Sequence, residues 1–431
     1  MSPELLALLG TLLLLAGIGV PIAYAILVAS MAYLAVDGAS IGTAGKVLVD
    51  GIYASFLLLA VPLFIVAANI MNAGTISDRL LRFCVAAVGR FRGGLGHVNV
   101  VASLIFSGMS GSAVADAAGI GRVVIDMMVR SGHYTRGYAA AITAASATIG
   151  PIIPPSIPMV LYALVSNASI GALFLGGIVP GLLMGTVLMT MNWTIARRRG
   201  FATDETTPLA ELPRQTLEAF PALLMPAILL YGIYGGVTTP TEAAALAAFY
   251  ALVLAGLFYR ALSLGALWRI LIDSARSSAA VGIVIGGALI LNFIVASENV
   301  PARMASALVG LDVDPIVFLI GVNLLILVLG CVLDATTIIL VILPLFLPTC
   351  RALGIDLVHF GVVAVVNCMI GLITPPYGIL LFVINAVTGI PLAEIIREVL
   401  PFLAVLLLAL LAMILMPGLV LTLPRAFGYA G

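Results

Sequence analysis

Charged residues are scarce in this chain of 431 residues, and lysine is almost absent. Asp, Glu, Lys and Arg together make up 9% of the sequence, hydrophobic residues make up 63%, and Lys46 is the single lysine. A soluble domain carries roughly a quarter charged residues. We therefore predict an all-α polytopic membrane protein. The formal net charge of +0 gives no basic surface for nucleic acid.

Paired cysteines and catalytic motifs are also lacking. Cys84, Cys331, Cys350 and Cys368 are scattered through apolar segments without CxxC spacing, which is typical of packing residues rather than disulfides or metal ligands. Ser-His-Asp, HExxH and Walker patterns do not occur where they could work. The sequence therefore predicts no enzyme, no organic cofactor and no transition-metal site.

About twelve apolar segments approach the ~20 residues that a membrane span needs. A polar stretch at 197–218, which opens with three arginines, separates them into two similar halves, 1–196 and 219–431. Each half holds simple spans, a long interrupted double segment (97–130 and 314–350), a proline-broken span (138–165 and 360–388) and a final span. This order predicts an internal repeat.

The two proline-broken spans carry the same helix-breaking signature. It reads GPIIPP at Gly150–Pro155 and GLITPP at Gly371–Pro376. Proline lacks the backbone N–H and clashes with the carbonyl four residues earlier, so Pro154 and Pro375 free the carbonyls of Gly150 and Gly371. Broken backbone at membrane depth is tolerated only where protein or a cavity satisfies it. Paired breaks in two halves predict a transporter's binding site.

Arginines indicate the orientation, because cytoplasmic loops collect Arg and Lys. Arginines flank the segment 97–130 on both sides, so placing all of them inside requires the segment to enter and leave on the same face. We therefore predict a re-entrant helical hairpin at 97–130 and, in an inverted second half, another at 314–350. Both termini are then expected outside.

Oxygen-bearing and small residues at the hairpin tips and breaks form the predicted sodium and substrate site. Folding is expected to bring each tip against its break. The first group is Ser107, Gly108, Ser110, Gly111, Ser112, Asp116, Ser146, Thr148, Gly150, Pro154 and Pro155. The second group is Gly330, Asp334, Thr336, Thr337, Asn367, Gly371, Thr374, Pro375 and Pro376. Small residues also pack helices closely, so a structural role stays open for each serine.

Asp116 and Asp334 are the acidic residues placed deepest in the apolar segments. An acid there is costly and is a functional hypothesis by default. Each follows a turn, so a role in capping or bracing the next helix is favoured over direct contact with an ion.

Several long motifs resemble the large membrane subunit of the tripartite ATP-independent periplasmic (TRAP) transporters, dicarboxylate type. The similarity covers essentially the whole chain. The motifs are Gly93–Ser103, Ser107–Asp116, Ser146–Met159, Thr239–Ala245, Gly354–Gly361 and Gly371–Phe382.

The resemblance implies a secondary transporter of the bacterial inner membrane, driven by a sodium gradient. It implies a periplasmic substrate-binding protein that delivers a carboxylate solute, such as a C4-dicarboxylate or a sugar acid, and a small four-helix membrane subunit on a separate polypeptide. It also implies an elevator-type inverted repeat, in which the hairpins and broken spans move against a scaffold. The stretch 78–92 is then an arm between the two parts, with 300–311 as its counterpart.

Two alternatives stay open. A self-sufficient sodium- or proton-coupled carboxylate carrier would share the inverted hairpins, and proton coupling would use a buried acid such as Asp116 or Asp334. A channel or receptor-like component would lack coupled transport.

Overall fold

The computed structural model describes residues 2–72, 75–203 and 209–431, and every regular element in these ranges is helical. This confirms the predicted all-α class. The helices of the first half are α1 (Pro3–Gly17), α2 (Ile22–Asp37), α3 (Gly42–Ala54), α4 (Ala60–Met71), α5 (Thr75–Val88), α6 (Gly94–Ser110), α7 (Ala113–Asp116), α8 (Arg122–Arg130), α9 (Arg136–Ala147), α10 (Ile157–Ser166) and α11 (Ile170–Arg199).

The second half repeats this order from its fourth helix onward. Its helices are α12 (Leu212–Tyr234), α13 (Pro240–Val253), α14 (Leu264–Ser297), α15 (Val300–Gly310), α16 (Pro315–Gly330), α17 (Ala335–Thr337), α18 (Leu343–Ala352), α19 (Leu357–Gly371), α20 (Ile379–Thr388), α21 (Leu392–Leu415) and α22 (Gly418–Ala426). An arm, a helix pair, a broken pair and a long helix thus follow one another twice, as α5–α11 and α15–α21.

Six helices in the described ranges are long and apolar enough to cross a bilayer alone. They are Ile170–Arg199, Leu212–Tyr234, Pro240–Phe258, Leu264–Ser297, Ala335–Ala352 and Leu392–Leu415. A bent pair, Gly42–Tyr53 with Phe56–Met71, passes the same test jointly. The other predicted apolar segments form helices of 10–17 residues, among them α6, α10, α16, α19 and α20. Multiple apolar helices of this kind are the mark of an integral membrane protein.

The helices are interrupted where the proline signatures predict. In the first half α9 ends at Ala147 and α10 begins at Ile157; in the second, α19 ends at Gly371 and α20 begins at Ile379. The Pro154–Pro155 and Pro375–Pro376 bonds are both cis. Ser156 starts α10 as its N-cap, accepting a hydrogen bond from the amide of Met159 at 3.2 Å. Each broken segment is therefore two helices joined by an irregular turn.

The polar segment between the halves is shorter than the predicted 197–218. α11 continues through its terminal arginines to Arg199, and α12 already begins at Leu212. Basic side chains are favourable in the last turn of a helix, and Pro213 is tolerated in the first turn of α12 because the N–H it lacks has no intrahelical partner there. The residues 204–208 lie outside the described ranges.

The first halves of the two broken segments are the innermost helices. Every residue from Gly137 to Ala147 in α9 is buried, and so is every residue from Val358 to Gly371 in α19. The two broken segments also contact each other. Tyr162 of α10 donates a hydrogen bond to the carbonyl of Leu357 at 2.7 Å, and its ring covers Gly361 so closely that a Cβ there would lie 2.1 Å from a ring carbon.

The helices α1, α2 and α14 meet in a smaller hydrophobic cluster, separate from the main core. Leu8, Ile26 and Leu34 pack there against Ile290 and Ile294 of α14. This cluster packs the first two helices against α14.

Arg79 connects α5 to α12 and to the segment that follows α13. Its guanidinium lies 3.8 Å from Glu218 of α12 and 4.6 Å from the ring centroid of Tyr259. Tyr259 in turn donates a hydrogen bond to the Glu218 carbonyl at 2.7 Å. The stretch predicted as an arm at 78–92 is thus a helix, Thr75–Val88, whose end leads through Gly93 into α6.

Candidate functional site

The tips of both helix pairs and both breaks meet at one cavity of about 310 Å³. The first half contributes Ser110–Ala115, Pro151, Ile157 and Pro158, and the second contributes Asp334–Thr336, Met369, Leu372 and Ile379. Helices α4 and α14 close the cavity with Ile65, Ala68, Asn69, Ser277 and Val281. The cavity is therefore shared by the two repeats and by helices outside the broken segments.

The first tip turns at Gly111 and packs on the first break. Gly111 adopts a left-handed conformation with φ of 57°, which glycine adopts without strain. A Cβ at this position would lie 2.8 Å from the carbonyl oxygen of Pro155. Ser112 then caps α7 by accepting a hydrogen bond from the amide of Ala115 at 3.3 Å. Glycine at 111 thus allows both the turn and the close approach.

The second tip is built on an acidic cap. One carboxylate oxygen of Asp334 accepts a hydrogen bond from the amide of Thr337 at 3.1 Å, and the other accepts one from the Thr337 hydroxyl at 2.6 Å. Asp334 also lines the cavity. The predicted capping role is therefore correct for Asp334, and the same carboxylate is available at the cavity surface.

In each helix pair, the helix that follows the tip begins at the cavity. A π-helical segment, Ala117–Gly121, joins α7 to α8, and another, Ile338–Ile342, joins α17 to α18, so that each arm is continuous from its tip. The amide groups in the first turn of a helix have no intrahelical partners, and the helix dipole is positive there. Two helix N-termini thus begin at one cavity, one capped by the Ser112 hydroxyl and the other by the Asp334 carboxylate.

Asp116 does not cap a helix, which corrects the capping part of its predicted role. Ser112 occupies the N-cap position instead, and Asp116 lies a turn later inside the arm. Its Oδ1 accepts a hydrogen bond from Ser110 at 2.5 Å, so Asp116 braces the tip from behind. Its buried Oδ2 has no hydrogen-bond partner among the described residues and lies against Gly150, where a Cβ would approach it to 2.5 Å.

Several other predicted site residues form hydrogen bonds within the protein, away from the cavity surface. Ser107, Thr148 and Thr374 donate to carbonyls of their own helical turns at 2.6, 2.6 and 2.8 Å. Ser146 and Asn367 contact the first arms of the helix pairs. Thr336, Ser110 and Ser112 do lie at the cavity, as predicted.

Sequence reasoning missed the contribution of α4 and α14. Asn69 lies inside an apolar span and donates a hydrogen bond to Ser274 at 2.8 Å, one turn from the cavity residue Ser277. A lone side-chain amide in an apolar span is costly unless it is paired or functional. Asn69 could have been identified from the sequence on this ground.

The glycines at the second break bring two backbones into contact. A Cβ on Gly371 would lie 2.9 Å from the Cα of Gly330, at the end of α16. Cys331, next to Gly330, has its sulfur 4.0 Å from the carbonyl of Pro375. Tip and break therefore pack as one unit in the second repeat.

This fold has a solved structural counterpart. The solved structure of the Alcanivorax borkumensis YdaH transporter matches it with a TM-score of 0.60, over 86% of this chain and 87% of that one, at 16% sequence identity.

The family follows from the sequence itself. Residues 9–419 match the family model described as "Tripartite ATP-independent periplasmic transporter, DctM component". The chain belongs to this family as a large membrane subunit, which confirms the resemblance inferred from the motifs.

Two of the relatives match this chain over nearly the whole length of both proteins. The chain is 41% identical over 413 residues to the sialic acid TRAP transporter large permease protein SiaM of Vibrio cholerae, covering 95% of this chain and 96% of SiaM. It is 37% identical over 417 residues to the 2,3-diketo-L-gulonate TRAP transporter large permease protein YiaN of Escherichia coli, covering 96% and 98%. The isethionate TRAP transporter permease protein DctMQ of Oleidesulfovibrio alaskensis is longer: 39% identity extends over 93% of this chain but 63% of DctMQ.

Proposed function

We propose that the chain is the transport subunit of a sodium-coupled secondary transporter that imports an organic acid. The observation that carries the proposal is the shared cavity, where two helix tips, two breaks and the carboxylate of Asp334 converge. Half-helix N-termini that point at an anionic group, beside unwound backbone that coordinates sodium, are a recurring construction in transporters. The relatives named for sialic acid, diketogulonate and isethionate are all named for anionic solutes.

Sodium suits this cavity better than a proton does. Its described polar surface is built from hydroxyls, backbone, the Asn69 amide and a single acid, Asp334, which is held as a helix cap. Proton coupling would instead require a carboxyl group that binds and releases a proton at the cavity. Asp116 is buried behind the tip and is not in the cavity lining.

Transport is proposed to proceed by an elevator-type motion, with the helix pairs acting as re-entrant hairpins. The hairpins, the broken segments and α11 would move together, since α9 and α19 pack at their centre. The family resemblance places the last span (398–420) in the scaffold, but α21 packs on α9 and α11, so we propose that it moves with them. The scaffold would comprise α1–α4 and α12–α14, and α5 and α15 would be the arms. The small cavity between α4, α14 and the tips lies at the boundary between these parts.

The proposed partners are a periplasmic binding protein that delivers the acid and a small four-helix membrane subunit. DctMQ extends well beyond the length of this chain, which leaves room for a further membrane subunit in that relative. The alternative is a self-sufficient sodium- or proton-coupled carboxylate carrier of related inverted-repeat architecture.

Reconstitution separates the two functions. Proteoliposomes are prepared with this chain alone, with the small subunit encoded beside it, and with the loaded binding protein added outside. We expect uptake of labelled acid only when all three are present. Sodium-dependent uptake of the free acid by this chain alone would overturn the tripartite proposal and establish the self-sufficient carrier.

A further inference from the structure

A buried hydrogen-bonded pair joins the first arm of each hairpin to the first half of its broken segment. In the first repeat, Ser146 of α9 donates to the side-chain oxygen of Asn99 of α6 at 3.1 Å. The amide of Asn99 donates in turn to the hydroxyl of Thr143 at 2.5 Å. All three side chains are buried. The contact is therefore a side-chain bridge between two helices that are otherwise packed through apolar surface.

The second repeat carries the same construction with other residues. Asn367 of α19 donates to the side-chain oxygen of Asn323 of α16 at 2.9 Å and to the Asn323 carbonyl at 2.6 Å. Asn323 is the one polar side chain in α16, and it is buried, as is Asn367. The remaining oxygen of Asn367 is buried without a partner among the described residues.

The two pairs occupy matching places in the repeat. Ser146 lies four residues before Gly150, and Asn367 lies four residues before Gly371. In the first repeat α9 ends at Ala147, one residue after Ser146, and in the second α19 ends at Gly371, four residues after Asn367. Four residues of helix span about one turn, or ~6 Å. Each pair therefore lies within one helical turn of its break.

We propose that the pairs Asn99–Ser146 and Asn323–Asn367 are positioning residues that hold each hairpin tip and break in the geometry of the sodium site. The inference rests on the proposed function. Buried amides in an apolar interface fix the relative position of two helices because sliding would leave them unpaired. Apolar contacts alone allow neighbouring registers, whereas these hydrogen bonds select one. Neither pair touches the cavity, so their effect on the ion is exerted through the tip and the break.

Cys331 provides a readout that does not depend on transport. It is partly exposed at the second tip, with its sulfur 4.0 Å from Pro375, whereas Cys84, Cys350 and Cys368 are buried. The rate at which N-ethylmaleimide modifies Cys331 in the full chain, held in nanodiscs with the small subunit, therefore reports how tightly tip and break are packed. The variant Cys331→Ala gives the background from the other three cysteines.

The test compares sodium protection of Cys331 in the wild type with that in variants of the second pair. We expect sodium to slow modification in the wild type. Asn323→Ala and Asn367→Ala should raise the sodium concentration for half-maximal protection about threefold to tenfold, the range that interhelical hydrogen bonds in membranes support. Asn367→Ser copies the first pair, in which serine contacts asparagine, and should restore most of the protection. Asn367→Leu keeps the side-chain volume and serves if the alanine variants fail to fold.

Asn385→Ala is the matched control, because Asn385 donates one hydrogen bond to a backbone carbonyl, that of Ile390 at 2.7 Å, and belongs to neither pair. If the Asn323 and Asn367 variants match this control while the wild type is protected by sodium, the positioning role is wrong and the proposed function stands. If sodium does not protect the wild-type cysteine, sodium does not order the tip against the break and the positioning role is wrong, whereas the proposed function is decided by sodium-dependent uptake in the reconstituted system.

Discussion

Gly330 and Gly371 bring the second tip and the second break into backbone contact: a Cβ on Gly371 would lie 2.9 Å from the Gly330 Cα and 3.1 Å from its carbonyl oxygen. Because the obstructing atoms are backbone, no side-chain rotation can relieve the overlap.

The first prediction concerns this contact. Gly371→Ala should push the tip away from the break and lower uptake about tenfold or more, since overpacking of this kind costs about 1–3 kcal/mol. Gly321→Ala is the control, because a Cβ at Gly321, also in the second repeat, meets no atom within 4 Å. Uptake by complete proteoliposomes is the measurement, and equal uptake by the two variants would show that the glycine contact does not matter.

The second prediction concerns the prolines of the breaks. Pro154→Ala or Pro375→Ala restores a backbone N–H, so the irregular turn can extend α9 or α19 and displace the carbonyls that face the tips. We expect uptake to fall at least about tenfold, because small misplacements of a binding geometry are costly, while expression changes little. Pro424→Ala, inside α22 and outside the cavity lining, is the control. Normal uptake and sodium dependence in both break variants would refute the broken-helix site.

The third prediction separates the two roles of Asp334. Asp334→Ala removes the cap of the second arm and should lower the free energy of unfolding by about 1 kcal/mol. Asp334→Asn retains an N-cap side chain and should restore the melting temperature. Both variants lack the carboxylate charge, so both should need more sodium for half-maximal uptake. A normal sodium requirement in Asp334→Asn would leave capping as the sole role.

The fourth prediction concerns the attachment of the arm. Arg79→Ala removes the ion pair with Glu218 and the contact with Tyr259, and should destabilise the protein by about 1 kcal/mol, as expected for a partly exposed ion pair and cation–π contact. Arg276→Ala, which loses only a 3.7 Å contact with Asp273 on an exposed surface, should leave the melting temperature nearly unchanged. Equal melting temperatures for the two variants would argue against an anchor at Arg79.

Much of this arrangement could be predicted from local sequence. The breaks follow from proline chemistry, which acts within one helical turn, and the helices end within a few residues of the predicted places. The capping box at Thr239–Glu242 follows from the Thr-Pro-Thr-Glu pattern, and both of its hydrogen bonds are present. The pairing of tip with break follows from the repeated order of the two halves.

The details of the site depend on register and tertiary packing, which local sequence does not encode. Asp116 is the acidic residue nearest the first tip, so the sequence favours it as a cap or brace of the helix that follows. That helix begins one turn earlier, with Ser112 as its N-cap. Hydroxyls of serine and threonine in apolar helices readily bond carbonyls of the preceding turn, and Ser107, Thr148 and Thr374 do so here, outside the cavity lining. The entry of Asn69 and Ser277 into the cavity is set by how α4 and α14 pack on the tips.

The central claim, sodium-coupled import, is tested most directly by accumulation against a concentration gradient. Proteoliposomes that contain the chain and its small subunit receive the loaded binding protein and an inwardly directed sodium gradient, with no ATP and no proton gradient. We predict that the labelled acid accumulates inside above its outside concentration, and that a sodium ionophore abolishes the accumulation. Equal accumulation with sodium replaced by choline, or accumulation driven only by a proton gradient, would contradict it.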